Sequence, residues 1–199
     1  MEISAKEVMA LRAKTGAGMM DCKKALIESG GDFDKAADFL REKGMVAAQK
    51  RAGRETQNGF IAVYVHPGSK LAAMVEVNCE TDFVARNEQF QEFANNLAMH
   101  TAAAAPLAVS EEDIDPEVVE KEREIYKAQA LNEGKKPEYV DKIVDGRIKK
   151  FYKESCLLDQ IYIRDEAHKM TIQDLLNDQI SVIGENIVIG RFSRFKVGE

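Results

Sequence analysis

The stretch E-V-N-C-E-T-D-F-V-A-R-N-E-Q-F-Q-E-F, Glu76 to Phe93, decides how this chain is read. Leu71 to Val77 runs into it as an apolar, strand-like segment, and Phe90, Phe93, Ala94, Leu97 and Ala98 recur beyond it on one helical stripe. Asn78 to Asp82 forms the polar corner between the two. Rigid elements on either side fix such a corner while leaving it reachable, so binding residues concentrate there. Phe83 follows the acid of that corner, but it also lies seven residues before Phe90 and would join the buried stripe if the helix already ran through it. Periodicity favours a core Phe83, and its place at the corner favours an exposed one.

Immediately upstream the period is two: Ile61, Val63 and Val65 alternate with Phe60, Ala62 and Tyr64 before the turn His66-Pro67-Gly68-Ser69. The strand that follows completes a hairpin and delivers the corner. At the far end of the chain Ile187, Val188, Ile189, Phe192, Phe195 and Val197 supply another strand, whose alternation slips near Gly190 to Phe192 as at a bulge. It needs a partner, and the hairpin is the available sheet. A three-stranded antiparallel sheet with a helix on it is therefore expected.

Ahead of the sheet, Ser4-Ala-Lys-Glu7 is a capping box, Gly16 and Gly18 end the first helix, Gly30-Gly31 end a second, and Asp32 caps a third that reaches Gly44. Three short helices make a compact module resembling the ubiquitin-associated fold, and modules of this size usually bind partners. Met19 and Met20 are adjacent and so about 100° apart on a helix; one is expected in the core and one exposed as flexible contact material. Lys50, Arg51 and Arg54, with two glycines and few large apolar residues around them, read as a basic linker. Between the corner helix and the tail, Asp115-Pro116 and Pro137 each open a helix, with Gly134 turning the chain between them. Val118, Val119, Ile125 and Tyr126 make the first stripe; Val140, Ile143, Val144, Ile148 and Phe151 make the second. The pair reads as an antiparallel hairpin projecting from the body, and Thr171-Ile-Gln-Asp174 caps one more helix.

The organisation expected is α+β: a three-helix module over 1–44, a linker over 45–58, a sheet-and-helix core from 59–109 and 153–199, and a helical (coiled-coil) hairpin over 110–152 inserted in that core. A net charge of -6 argues against a chain that coats nucleic acid or a membrane surface. No apolar run approaches the ~20 residues of a bilayer span, and the first residues do not form a signal peptide, so a cytoplasmic protein is expected. Cys22, Cys79 and Cys156 are odd in number and far apart, which fits buried thiols better than disulfides or zinc ligands.

Catalytic chemistry is hard to find. His66, His100 and His168 stand alone, and Gly16-Ala-Gly18 lacks the strand-turn-helix setting of a phosphate-cradling loop. Glu80 and Asp82 are two acids with nothing nearby to complete an acid/base or metal site. No catalytic residue, metal ligand or cofactor is expected.

Two segments carry a resemblance: V-M-A-L-R-A-K-T-G-A-G-M-M-D-C-K-K-A-L, Val8 to Leu26, and V-N-C-E-T-D-F-V-A-R-N, Val77 to Asn87. They look like the signature segments of translation elongation factor Ts. Leu97-Ala-Met-His100, Val118-Val-Glu-Lys121, Gly146-Arg-Ile-Lys-Lys-Phe151 and Arg194-Phe-Lys-Val-Gly198 extend the match over nearly the whole chain. The resemblance implies a guanine-nucleotide exchange factor for elongation factor Tu, engaging its GDP-bound and nucleotide-free forms, with no direct nucleic-acid or membrane partner. It implies that the amino-terminal module docks through Leu11, Gly16, Met19 and Met20. Thr81, Asp82, Phe83 and Val84 would enter beside the partner's magnesium site, with Phe83 as a wedge and Asp82 helping to dislodge Mg²⁺. Phe83 then belongs outside the core, on a helix starting late near Asn87. Longer members look duplicated in their sheet-and-helix core, whereas this chain has one copy, so a homodimer is expected. The competing reading is a non-catalytic, chaperone-like protein that holds a partner through its hairpin.

Overall fold

The computed structural model describes residues 3–199. Ser4 opens α1 (Ala5–Thr15) with its capping box: the hydroxyl accepts the Glu7 amide at 3.3 Å, and the Glu7 carboxylate accepts the Ser4 amide at 2.8 Å. Gly16, at φ +69°, closes that helix in the left-handed region that side-chain-bearing residues resist. α2 (Met19–Glu28) and α3 (Phe33–Arg51) follow, and Val8, Leu11, Cys22, Ala25, Leu26, Ala36 and Leu40 pack into one core between the three helices.

The expected linker is corrected from its start: α3 runs straight through Gly44 to Arg51, and irregular chain is confined to residues 52–57. The cause is a helix contact. α3 lies against α8 (Ile172–Ile183), where Ala48 is buried and a side chain on Gly44 would start 3.5 Å from Asp178 Oδ1 and 3.7 Å from Ser181 Cβ. Small residues there admit a close neighbour, and the local reading took them for a helix end. Arg51 and Arg54 are not a free basic surface either, since Arg51 Nε donates to the Gly184 carbonyl at 2.9 Å and Arg54 pairs with Glu80 at 3.3 Å.

β1 (Asn58–Val65), β2 (Leu71–Cys79) and β3 (Ile187–Lys196) form an antiparallel sheet in the order β1-β2-β3. The bulge falls where the slip in alternation placed it: Glu76 pairs with Arg191 and Val77 with Ile189, leaving Gly190 without a partner. One face of the sheet, with Ala62, Val75 and Val77, packs on α5 (Glu88–Ala104) through Phe90, Phe93, Ala94 and Leu97. Cross-strand pairs put Ile61, Val63, Val65, Ala72, Met74 and Phe195 on the opposite face, where all but Ala72 are exposed.

α6 (Pro116–Asn132) and α7 (Pro137–Ser155) are antiparallel, joined by Arg123–Asp145 at 2.8 Å and Arg147–Glu133 at 2.8 Å. Their shared core is Ala130, Val140, Val144 and Ile148, flanked by Val119 and Tyr126. The expected stripe is corrected at Val118 and Ile125, which face solvent: a two-helix contact buries a narrow row, and Val119, Tyr126 and Ala130 occupy it. The chain leaves for α6 and returns from α7 at adjacent points, where Leu107 N–H donates to Ser155 at 2.8 Å and Leu157 N–H to Ala108 at 2.9 Å.

Candidate functional site

The corner is a turn built and clamped from several directions. After Cys79 the chain forms the single-turn α4 (Asp82–Ala85), breaks at Arg86, and restarts as α5 with Asn87 as cap, its Oδ1 accepting the Gln89 amide at 2.8 Å. The late start of the long helix takes Phe83 off the buried stripe, and the residue is 81% exposed. The core reading of Phe83 from periodicity is thereby corrected; periodicity presumed one continuous helix, and the break at Arg86 shifts the phase.

Thr81 is the anchor. Its amide and hydroxyl donate to the two Glu185 carboxylate oxygens at 3.0 and 2.7 Å, and the hydroxyl accepts the Val84 amide at 3.4 Å. Its carbonyl accepts the Cys79 thiol at 3.2 Å. Burial first, and the nearby Glu185 carboxylate second, push the Cys79 thiol up to about 11, so it stays protonated and able to donate. Glu80 is turned inward, accepting the Asn186 amide at 2.6 Å and Arg54 at 3.3 Å, which removes it from any acid pair with Asp82. Asp82 is half-exposed and meets Arg86 at 2.9 Å across one helical turn. Val84 packs partly on the main core, so of the four corner residues Phe83 alone is fully presented.

The module residues are distributed differently. Leu11 is 0% exposed inside the three-helix core, so its side chain supports the surface from beneath. Met19 and Met20 are both exposed, at 39% and 76%, correcting the expectation that one would be core: α2 begins at Met19, and its buried face starts only at Cys22. Gly16 shapes the turn leading to them, 3.8 Å from Val182 of α8 measured to the Cβ it lacks.

His100, away from the corner, is spent structurally. It is buried, with Nε2 on Gln160 Oε1 at 3.1 Å and Nδ1 accepting the Ile163 amide at 3.3 Å. That arrangement suits the neutral ring, and burial lowers its pKa. A groove of about 740 Å³ lies between α3, α8 and β3, lined by Met45, Val46, Leu176, Ile180 and Val188, with Glu42 its single ionisable residue. Among the described residues no cluster of three or more His, Cys, Asp or Glu could hold a metal ion, and no helix is long and apolar enough to cross a membrane. The chemistry open to the corner is contact: an aromatic ring and a carboxylate presented on a fixed turn. Glu185, which holds that turn, escapes sequence reading because it lies 104 residues from Thr81.

Comparison with known proteins bears on the family of the chain. A family profile described as Elongation factor TS matches residues 33–199. A protein of Nitratidesulfovibrio vulgaris (strain DSM 19637 / Miyazaki F) named elongation factor Ts is 59% identical over 198 residues, covering 100% of this chain and 98% of that protein. One of the same name from Caldanaerobacter subterraneus subsp. tengcongensis is 57% identical over 197 residues, covering 99% of this chain and 98% of that protein. A third, from Geotalea daltonii, is 52% identical over 199 residues, with 91% of its length covered. On a family match across most of its residues and on relatives of nearly its own length, this chain belongs to the elongation factor Ts family of translation elongation factors.

Proposed function

We propose that this chain is a guanine-nucleotide exchange factor that binds elongation factor Tu carrying GDP, promotes GDP release and stays bound to the nucleotide-free form. The observation that carries the reading is the presentation of Phe83, 81% exposed on a turn clamped at Thr81 with Asp82 beside it. A rigid aromatic held out on a clamped turn is the kind of anchor that fills a partner pocket. Magnesium and backbone amides stabilise the concentrated negative charge of a bound diphosphate, so disturbing either loosens the nucleotide. Phe83 wedges between partner side chains, Asp82 helps displace the magnesium region, and no covalent step by this chain is needed. Each tenfold gain in release requires about 1.4 kcal/mol off the barrier. By linkage, GDP weakens binding of the factor as much as the factor weakens binding of GDP.

The three-helix unit of α1, α2 and α3 serves in this reading as a ubiquitin-associated-like docking module, presenting Met19 and Met20 to the partner's nucleotide-binding domain. α6 and α7 act as a coiled-coil arm inserted in a core of 59–109 and 153–199. With one core copy, the exposed sheet face of Ile61, Val63, Val65, Met74 and Phe195 pairs with the same face of a second chain, giving a cytoplasmic homodimer.

The deciding experiment follows release of a fluorescent GDP from elongation factor Tu with the wild type, Phe83→Ala and Asp82→Ala. Because Phe83 contributes little to this chain's own core, Phe83→Ala should fold normally and slow stimulated release by about tenfold or more. Release at the wild-type rate with Phe83→Ala overturns the wedge role of Phe83, and no stimulation of release by the wild type overturns the exchange reading in favour of a chaperone-like holding role.

A further inference from the structure

The connection from α8 to β3 reaches back to the corner with a pair of reciprocal carboxylate contacts. Glu185 accepts the Thr81 amide and hydroxyl at 3.0 and 2.7 Å, while Glu80 accepts the Asn186 amide at 2.6 Å. The pairing of β2 with β3 ends at Cys79 and Ile187, so both contacts lie just beyond the last paired residues and are not needed to set strand register. The end of α3 joins the same clasp: Arg51 Nε donates to the Gly184 carbonyl at 2.9 Å, and Asn186 Nδ2 donates to the Arg54 carbonyl at 2.9 Å.

We propose that Glu185 is a positioning residue for exchange: its carboxylate, bound to the Thr81 amide and hydroxyl, fixes the turn that presents Asp82 and Phe83 and ties that turn to the end of α3. The inference rests on the exchange reading above. α4 has four residues, far too few to hold a helical turn by its own hydrogen bonds. Its cap is the Thr81 hydroxyl, which owns one proton and two lone pairs. Donating that proton to Glu185 turns a lone pair toward the Val84 amide, so the carboxylate sets the rotor on which the cap depends. Asp82 and Phe83 are the next two residues, and neither has an anchor of its own in the body; Asp82 meets only Arg86 of the same turn. A wedge acts by entering a partner in a defined orientation, and a turn released at Thr81, held only at its far end by Val84 and Ala85 on the core, spends more of its encounters in unproductive geometries.

The test measures stimulated GDP release from elongation factor Tu over a range of factor concentrations, separating the maximal rate from the half-saturating concentration. Full-length Glu185→Ala, Glu185→Gln and Thr81→Val are compared with wild type and Phe83→Ala, each shown by circular dichroism to be folded at the assay temperature. Glu185→Ala should lower the maximal rate about tenfold while moving the half-saturating concentration less than about twofold, since docking through the module is untouched. Glu185→Gln keeps one oxygen for the Thr81 amide and should recover part of the rate. The double variant Glu185→Ala/Thr81→Val should be no slower than Glu185→Ala alone, because the two residues form one contact. If Glu185→Ala does not fold, Thr81→Val decides: a several-fold lower maximal rate supports the inference and a wild-type rate overturns it.

A wild-type maximal rate for folded Glu185→Ala, or a loss confined to the half-saturating concentration, overturns the positioning role. It leaves the exchange reading standing where Phe83→Ala is slow. A wild-type rate for Phe83→Ala overturns the wedge role of Phe83 and this inference with it, and no stimulation by the wild type overturns the exchange reading itself.

Discussion

Asp178 faces α3 from α8, where burial and then the neighbouring Asp174 carboxylate push its pKa up to about 6, against the pull of Arg41. A carboxyl with a folded pKa above its unfolded value of 3.8 holds its proton more tightly in the folded chain. The favourable contribution is therefore complete below about pH 4 and is lost as pH rises through 6. Two pKa units correspond to at most about 3 kcal/mol, and Asp178→Asn should recover about 1–2 kcal/mol of it at pH 7.5 and almost none at pH 4. Urea unfolding at the two pH values measures the difference. Position in sequence gives no hint of this residue, because its environment is made by an element more than a hundred residues away. The same holds for Glu185. Phe83 was half legible: its place at a corner pointed outward and its spacing from Phe90 pointed inward, and only the break after α4 decides between them.

α3 shows what local patterning can and cannot supply at the scale of an element. Starts were legible wherever the cap is local chemistry: Ser4 with Glu7, Asp32, Asn87, Asp115 and Thr171 all cap the helices they head. The end of α3 was not, because Gly44 reads locally as a helix stop, whereas the helix continues through it to Arg51 against α8. Gly44→Ala tests this. Its new Cβ would meet ordinary neighbours at 3.5 Å and beyond, and alanine is favoured over glycine inside a helix by about 1 kcal/mol, so stability should rise by roughly 0.5–1 kcal/mol. A glycine that ended the helix in a left-handed turn would respond with a loss. In the α6–α7 pair Ile148 is one of four buried apolar residues, and Ile148→Ala should cost the pair roughly 2–4 kcal/mol. Hydrogen exchange should then quicken in both helices while the amides of β2 and α5 keep their protection.

At the scale of the whole molecule, the α+β class, the three-stranded antiparallel sheet and the bulge near Gly190 were legible, since two-residue alternation and a lone late strand leave few ways to build one sheet, whereas the edge of the hairpin that takes β3 was not. What the outer sheet face serves is not written in those patterns. In the proposed homodimer it is the interface, and Val63, exposed in the single chain, is the residue to change. Sedimentation at micromolar concentration should give a dimer for the wild type and a monomer for Val63→Lys; a monomeric wild type removes the dimer from the proposal. The stapled crossing at Leu107, Ala108, Ser155 and Leu157 has a different bearing. Because entry and exit of the arm are bonded side by side, the body closes on itself without the residues between them. The arm is thus a cassette: replacing 110–153 with a short glycine-rich turn should leave a body that melts cooperatively, and arms of other lengths can be grafted on the same stub.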